Sequence, residues 1–242
     1  SIWQCAGQLL SCLVFVLPGS GGVAFWRNNR RLSLLSITTM SPASTTSFVM
    51  PRTQLILGGQ KSGKSRRAEL LARQWLQMDA GNQAALVATG QAWDAEMSER
   101  IARHQRDRAE RVPGMLTIEE PRELAQVLAQ HSSPQRLLVI DCLTLWLTNW
   151  LMPVQTGNSE DSPSPAPDWQ SQLALFLKAL GEAAGPVILV GNEIGLGVIP
   201  MGREVRAFVD ALGLLNQQAA AHCESVTLMC AGLPLALKGP QA

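Results

Sequence analysis

The sequence predicts an α/β protein whose mostly parallel sheet carries helices on both faces. Three observations support this. Short apolar runs of strand type alternate with amphipathic helical stretches from residue 53 onward. The inner runs, such as Leu137, Leu138, Val139 and Ile140, are apolar without alternation, as in strands covered on both faces. The first run leads straight into Gly58, Gly59, Gln60, Lys61, Ser62, Gly63, Lys64 and Ser65, which fits G-x-x-x-x-G-K-[ST].

Taken in order, residues 53–57 form the first strand. Residues 66–77 follow as a helix with Ala68, Leu71, Ala72, Trp75 and Leu76 on one face. The glycine-rich motif therefore sits between a strand and a helix, the context that identifies a P-loop. The expected class is a P-loop NTPase of the RecA-like kind. Residues 84–89 are a strand, 94–110 a helix, and 115–118 a short strand. Pro121 is expected as the first residue of a helix reaching residue 130. Residues 136–141 are a buried strand and 143–151 a helix. Residues 156–168 hold Gly, Asn, Ser and prolines and read as a surface loop. A helix is expected over 169–184, a buried strand over 186–191, and a helix over 204–221 with Val205, Phe208, Val209, Leu212 and Leu215 inward. Residues 225–230 and 233–237 finish as two strands.

Residues 1–49 do not share this pattern. They begin with Ser and join an apolar run (9–17) to Arg27, Arg30 and Arg31 and then to a Ser/Thr/Pro-rich stretch. The run is too short to span a bilayer, and no positive region precedes it as in a signal peptide. The segment is expected to be a disordered extension or upstream sequence, with translation starting at Met50 or Met40. Residues 50–242 are long enough for one domain with a full core.

The chain of 242 residues is 46% hydrophobic and 16% charged, with a net charge of +1, so neither a nucleic-acid nor a membrane-surface partner is expected. The five cysteines, Cys5, Cys12, Cys142, Cys223 and Cys230, form no C-x-x-C pair. That argues against a disulfide framework or a zinc site and fits a reducing, cytoplasmic setting.

The chemistry of the motif follows from its residue types. Glycines let the backbone turn tightly and aim its N–H groups at an anion, and the helix N-terminus adds partial positive charge. Lys64 is a cation for the β- and γ-phosphates, and Ser65 is a ligand for Mg2+. Asp141 ends an apolar strand at the position where a carboxylate holds Mg2+. It could instead cap the next helix, but beside a P-loop the metal role prevails. His104 is one of three histidines and lies where five arginines fall between Arg100 and Arg111. This could be a solvated basic helix face. The sharper alternative is a nucleophile, since a neutral imidazole attacks phosphorus well and the arginines would hold a triphosphate and its leaving pyrophosphate. His131, in a polar loop, and His222, near a helix end, read as structural or exposed.

Four stretches resemble the bifunctional adenosylcobinamide kinase / adenosylcobinamide-phosphate guanylyltransferase family of cobalamin synthesis. They are the P-loop; Ala88-Thr89-Gly90-Gln91 with Asp94-Ala95-Glu96-Met97 and Arg100-Ile101-Ala102-Arg103-His104; Leu143-Thr144 with Thr148-Asn149; and the run from Asn192 to Pro200 with Arg203, Asn216 and Gln217. The resemblance covers residues 50–238; residues 1–49 have no counterpart in it. Asp141 stands where the family often has Glu, and Arg103 where some members have a second His.

The resemblance implies two reactions. A nucleoside triphosphate, ATP or GTP, phosphorylates the aminopropanol hydroxyl of adenosylcobinamide. His104 then takes GMP from GTP and passes it to the new phosphate, giving adenosylcobinamide-GDP. It also implies nucleotide contacts at Thr89, Gly90 and Gln91, at Gln105, Arg106, Asp107 and Arg108, and at Glu119 and Asp141. A trimeric homo-oligomer is implied as well. Glu193 lies at a strand's carboxyl end, where ligands bind in such sheets, and could equally serve an oligomer contact. The rivals are a single-function P-loop kinase and a nucleotide-binding regulatory module without turnover.

Overall fold

The structure, a computed structural model, describes residues 14–16, 23–25, 49–92, 94–152 and 168–239. The chain divides into two units, Ser1–Ser47 and Phe48–Ala242. In the first unit, β1 (Val14–Val16) and β2 (Val23–Phe25) pair antiparallel, with Val14 opposite Phe25. The expectation of a disordered or upstream segment otherwise falls on residues outside the described ones. So does the loop expected over 156–168, apart from Asp168.

The second unit is built on a seven-stranded sheet. Its strands are β3 (Thr53–Gly58), β4 (Gln83–Ala88), β5 (Leu116–Glu119), β6 (Arg136–Asp141), β7 (Val187–Asn192), β8 (Ser225–Cys230) and β9 (Leu233–Lys238). They lie in the order β5-β4-β6-β7-β3-β8-β9. All pairs are parallel except β8–β9. β7 thus stands between the P-loop strand β3 and the Asp141 strand β6, as in RecA-like sheets.

Side chains of a strand alternate between faces, and both faces of this sheet are apolar. One face presents Leu55, Leu57, Ala85, Val87, Leu138, Ile140, Val187 and Leu189. Against it pack α3 (Leu124–His131), α4 (Leu143–Leu151), α5 (Trp169–Glu182) and α6 (Arg203–His222). The other face presents Ile56, Ala84, Leu86, Leu137, Val139, Ile188 and Val190. It is covered by Ala68, Leu71 and Ala72 of α1 (Lys64–Met78) and by Val112, which ends α2 (Ala95–Arg111). Trp146 and Phe176 are fully buried and pack with ring centroids 6.0 Å apart.

Two elements differ from expectation. α3 begins at Leu124, not at Pro121. The Glu120 carboxylate accepts the N–H groups of Arg122 and Glu123 at 2.8 and 2.9 Å, which holds residues 121–123 in a turn. In α6, Leu212 and Leu215 are buried, but Val205 is 53% exposed and Phe208 and Val209 are half-buried. Helical period marks a face. It does not say how far along the helix the cover extends, and the first turns of α6 are less covered than the later ones.

We propose that Phe48–Ala242 folds by itself, since all seven strands of the sheet lie within it. A chain beginning at Met50 is expected to be soluble and active, with a cooperative unfolding transition. Aggregation or inactivity of that chain would reject the proposal.

Candidate active site

The P-loop joins β3 to α1. Gly63, the N-cap of α1, has φ +98 and offers no side-chain cap, so the free N–H groups of the first turn face an anion's position unopposed. Lys61 also has positive φ, at 56. The Gly232 N–H, in the turn between β8 and β9, supports the loop by donating to the Ser62 carbonyl at 3.1 Å. The buried Lys64 donates from Nζ to the Gly59 carbonyl at 2.7 Å, the kind of bond that a phosphate oxygen can replace. Burial pulls the Lys64 amine below its usual range, and the Asp141 carboxylate opposes that.

Gly58 is fixed by packing as well as by its φ of +155: a Cβ there would lie 2.5 Å from both the Met229 carbonyl oxygen and Ser62 Oγ. Gly58→Ala is therefore expected to lower stability by about 1–3 kcal/mol and to weaken nucleotide binding. Urea unfolding and nucleotide titration check this, and unchanged values in both would contradict it.

Because the sheet is parallel, the carboxyl ends of its strands line one edge. Ala88 pairs with Asp141 and with Glu119, and Gly58 pairs with Asn192. Asp141 is half-exposed at the end of β6. Its charge acts on Lys64 and on Arg108. Thr89, expected to contact nucleotide, is 0% exposed. Its hydroxyl accepts from the Cys142 N–H and donates to the Cys142 carbonyl, both at 2.8 Å. Thr89 thus ties β4 to β6 behind the site and has no free hydroxyl to offer. Gly90 and Gln91 are half-buried just beyond it.

α2 carries His104. Asp94 caps the helix, accepting the Met97 N–H at 2.7 Å. Ile101, His104 and Arg108 share one face, at spacings of three and four. That face turns toward the end of β4, where Ile101 Cδ1 lies 4.0 Å from where a Gly90 Cβ would stand. Arg108 is buried and donates to Thr117 Oγ1 at 3.2 Å. Burial pulls its guanidinium below the usual range while Glu69 and Asp141 oppose. One turn on, Arg111 pairs with the buried Glu69 of α1 at 2.9 Å and with Asp107 at 3.3 Å. His104, Gln105 and Arg106 are exposed and Asp107 is half-buried.

The expected site residues thus divide in space. Gly58 to Ser65, Asp141 and Arg108 share one neighbourhood, and His104 stands one helical turn from Arg108. Glu119 is exposed at the end of β5, four strand spacings from β3, or about 19 Å at the usual interval.

The sequence did not assign roles to three polar side chains that hold this edge together. The buried Asn149 donates from Nδ2 to the Thr89 and Pro121 carbonyls at 2.8 and 2.9 Å. The Asn149 carbonyl accepts from Arg122, whose guanidinium lies 5.1 Å from the Trp150 ring centroid. Thr144 Oγ1 accepts the Asn192 N–H at 2.9 Å, and the buried Asn216 donates to the Asn192 carbonyl at 3.0 Å. The available signal was an asparagine inside an otherwise apolar helix. Among the described residues, no group of three or more His, Cys, Asp or Glu could hold a metal ion, and no helix is long and apolar enough to cross a membrane.

A phosphate-binding loop on a RecA-like sheet, with a carboxylate one strand beyond its neighbour, defines a P-loop nucleotide-binding protein. More narrowly, the chain belongs to the cobinamide kinase / cobinamide phosphate guanyltransferase family, whose model matches residues 54–237. It is 46% identical over 185 residues to the bifunctional adenosylcobalamin biosynthesis protein CobP of Pseudomonas aeruginosa, covering 76% of this chain and 96% of that one. It is 31% identical over 193 residues to the bifunctional adenosylcobalamin biosynthesis protein CobU of Escherichia coli, covering 76% and 98%. The corresponding figures for CobU of Salmonella typhimurium are 30% over 187 residues, 76% and 98%.

Proposed function

We propose that this chain phosphorylates the aminopropanol hydroxyl of adenosylcobinamide and then transfers GMP from GTP to that phosphate through His104. The observation that supports a two-reaction site is the placement of α2. Arg111–Glu69 ties it to the P-loop helix, and its inward Arg108 lies within the field of Asp141. The helix that carries the histidine therefore belongs to the same neighbourhood as the phosphate cradle.

In the first reaction the substrate oxygen attacks the γ-phosphorus and a nucleoside diphosphate leaves. The P-loop N–H groups and Lys64 take up the charge spread over the phosphates. In the second, the His104 imidazole attacks the α-phosphorus of GTP, pyrophosphate leaves, and a GMP-histidine forms. The corrinoid phosphate then displaces the histidine. Covalent catalysis divides one displacement into two easier ones.

Ser65, in the first turn of α1, and Asp141 would hold Mg2+. A hydroxyl and a single carboxylate suit that ion, which takes its remaining ligands from phosphates and water and neutralises phosphate charge. Gly90, Gln91, Gln105 and Arg106 are the remaining nucleotide contacts we assign around α2, with Asp107 supporting Arg111. Glu119 would meet the nucleotide end remote from the P-loop.

The enzyme is placed in the cytoplasm. Cys142, Cys223 and Cys230 are free thiols, in keeping with a reducing compartment. A trimeric assembly would cover the exposed Leu196, Val198, Ile199 and Met201.

Incubation with GTP and Mg2+ is expected to raise the intact mass by one GMP, and ATP plus cobinamide to yield cobinamide phosphate. Nucleotide binding with neither product would reject the proposal.

A further inference from the structure

We propose that Glu193 is the general base of the kinase step, its carboxylate taking the proton of the corrinoid hydroxyl as that oxygen attacks the γ-phosphorus. The inference rests on the function proposed above.

β7 is the strand beside the P-loop strand, and its last residue, Asn192, pairs with Gly58. Glu193 follows at once, and its N–H donates to the Gly58 carbonyl at 3.0 Å. The residue is therefore pinned next to the first glycine of the phosphate loop. Its carboxylate is held from both sides. Oε1 accepts the Gly195 N–H at 2.8 Å, and Oε2 lies 3.5 Å from Nδ2 of the buried Asn216. Asn216 is itself fixed on the Asn192 carbonyl. The side chain remains half-exposed, so solvent or a ligand can still reach it.

Other carboxylates at this edge are engaged or distant. Asp141 sits in the field of Lys64 and Arg108. Glu69 pairs with Arg111. Glu120 takes the N–H groups of Arg122 and Glu123. Glu119 ends the strand at the far margin of the sheet.

The proposed reactions contain three displacements at phosphorus, and their nucleophiles differ. The histidine attacks with the lone pair of a neutral ring nitrogen. The corrinoid phosphate is already ionised at neutral pH, since the second pKa of a phosphate monoester is about 6. The alcohol alone must lose a proton as it attacks. In that step the O–H bond breaks and its proton passes to Glu193. The O–Pγ bond forms, the bond from Pγ to the β,γ-bridging oxygen breaks, and the nucleoside diphosphate leaves with that electron pair. A base is needed in one displacement out of three, so its loss should separate the two activities.

Glu193→Gln tests this, because the amide keeps an oxygen for the Gly195 N–H. Cobinamide phosphorylation with ATP is expected to fall about 10²–10⁴-fold in kcat with little change in either KM. Labelling of His104 by GTP, and GMP transfer to preformed cobinamide phosphate, should stay within about twofold of wild type, since neither needs this base. Glu193→Asp should recover part of the kinase rate. Kinase turnover near wild type in Glu193→Gln would overturn the proposal. So would equal loss of both activities, which would mark Glu193 as a support of its loop. A wild-type enzyme that does not phosphorylate cobinamide would refute the functional assignment itself, and this proposal with it.

Discussion

Lys64→Ala is expected to abolish phosphoryl transfer while leaving the fold intact. The loss should exceed about 10³-fold in kcat/KM, the scale on which cations aimed at a transferring phosphate act. The expectation of an intact fold has its own physical basis. Burial disfavours the charged form of the Lys64 amine in the ligand-free protein. A lysine whose folded pKa is depressed opposes folding while it is charged, and that opposition fades as pH rises through the folded pKa. Removing the amine removes this penalty and forfeits one hydrogen bond, to the Gly59 carbonyl. The loss of the buried aliphatic stem works the other way, so the ligand-free Tm of the variant should stay close to that of wild type. The rise in Tm that nucleotide produces in wild type should largely disappear. Thermal melts with and without ATP, together with kinase turnover, separate the outcomes. Near wild-type turnover would mean that the phosphates bind elsewhere.

Most of the architecture could be read from local pattern. A sheet covered on both faces writes itself as uninterrupted apolar strands, and β6 and β7 follow that rule with Leu137–Ile140 and Val187–Val190 buried throughout. Strand order could not be read in this way. No local feature of 187–192 says that β7 inserts between β3 and β6, yet that insertion brings Glu193 to the P-loop. The limits at α3 and α6 have the same origin. Pro121 is a legitimate first helical residue, but the Glu120 carboxylate captures the next N–H groups instead. Val205 has the right phase for burial but is 53% exposed, because phase alone does not say which turns of a helix are covered. Within the site, the motif residues were legible because phosphate binding needs particular residue types at fixed spacing. That the Thr89 hydroxyl is taken up by Cys142 could not be read from its place at a strand end, because the partner lies 53 residues away, just past the end of another strand. Asn149 and Asn216 hold the edge through contacts 60 and 24 residues away, which no local pattern encodes.

His104→Ala is expected to prevent GMP labelling and abolish guanylyl transfer, with part of the kinase activity retained. The side chain is exposed in the middle of α2, and alanine is the stronger helix former, so stability should change by less than about 0.5 kcal/mol. Lost labelling therefore cannot be ascribed to unfolding. In wild type the GMP bond should be acid-labile and alkali-stable, as for phosphorus on a ring nitrogen. The other histidines serve as internal controls. His222 Nδ1 lies 2.8 Å from the Gln218 carbonyl of its own helix, and His131 is half-buried at the end of α3. Neither stands on the α2 face that carries Arg108. The kinase step should survive in part because the attacking alcohol does not use the imidazole as nucleophile. It should also slow somewhat, because His104 belongs to the arginine-rich helix that we assign to nucleotide binding and that is tied to the P-loop helix by Arg111–Glu69. His104→Ala and Glu193→Gln should thus fail in opposite directions, the first losing guanylyl transfer and the second phosphorylation. Intact mass after GTP and Mg2+, followed by peptide mapping, reads the first outcome directly. Labelling that persists in His104→Ala, or that moves to a serine, would remove the nucleophile from α2. Loss of both activities in a folded His104→Ala protein would instead make the histidine a base in a single-function kinase.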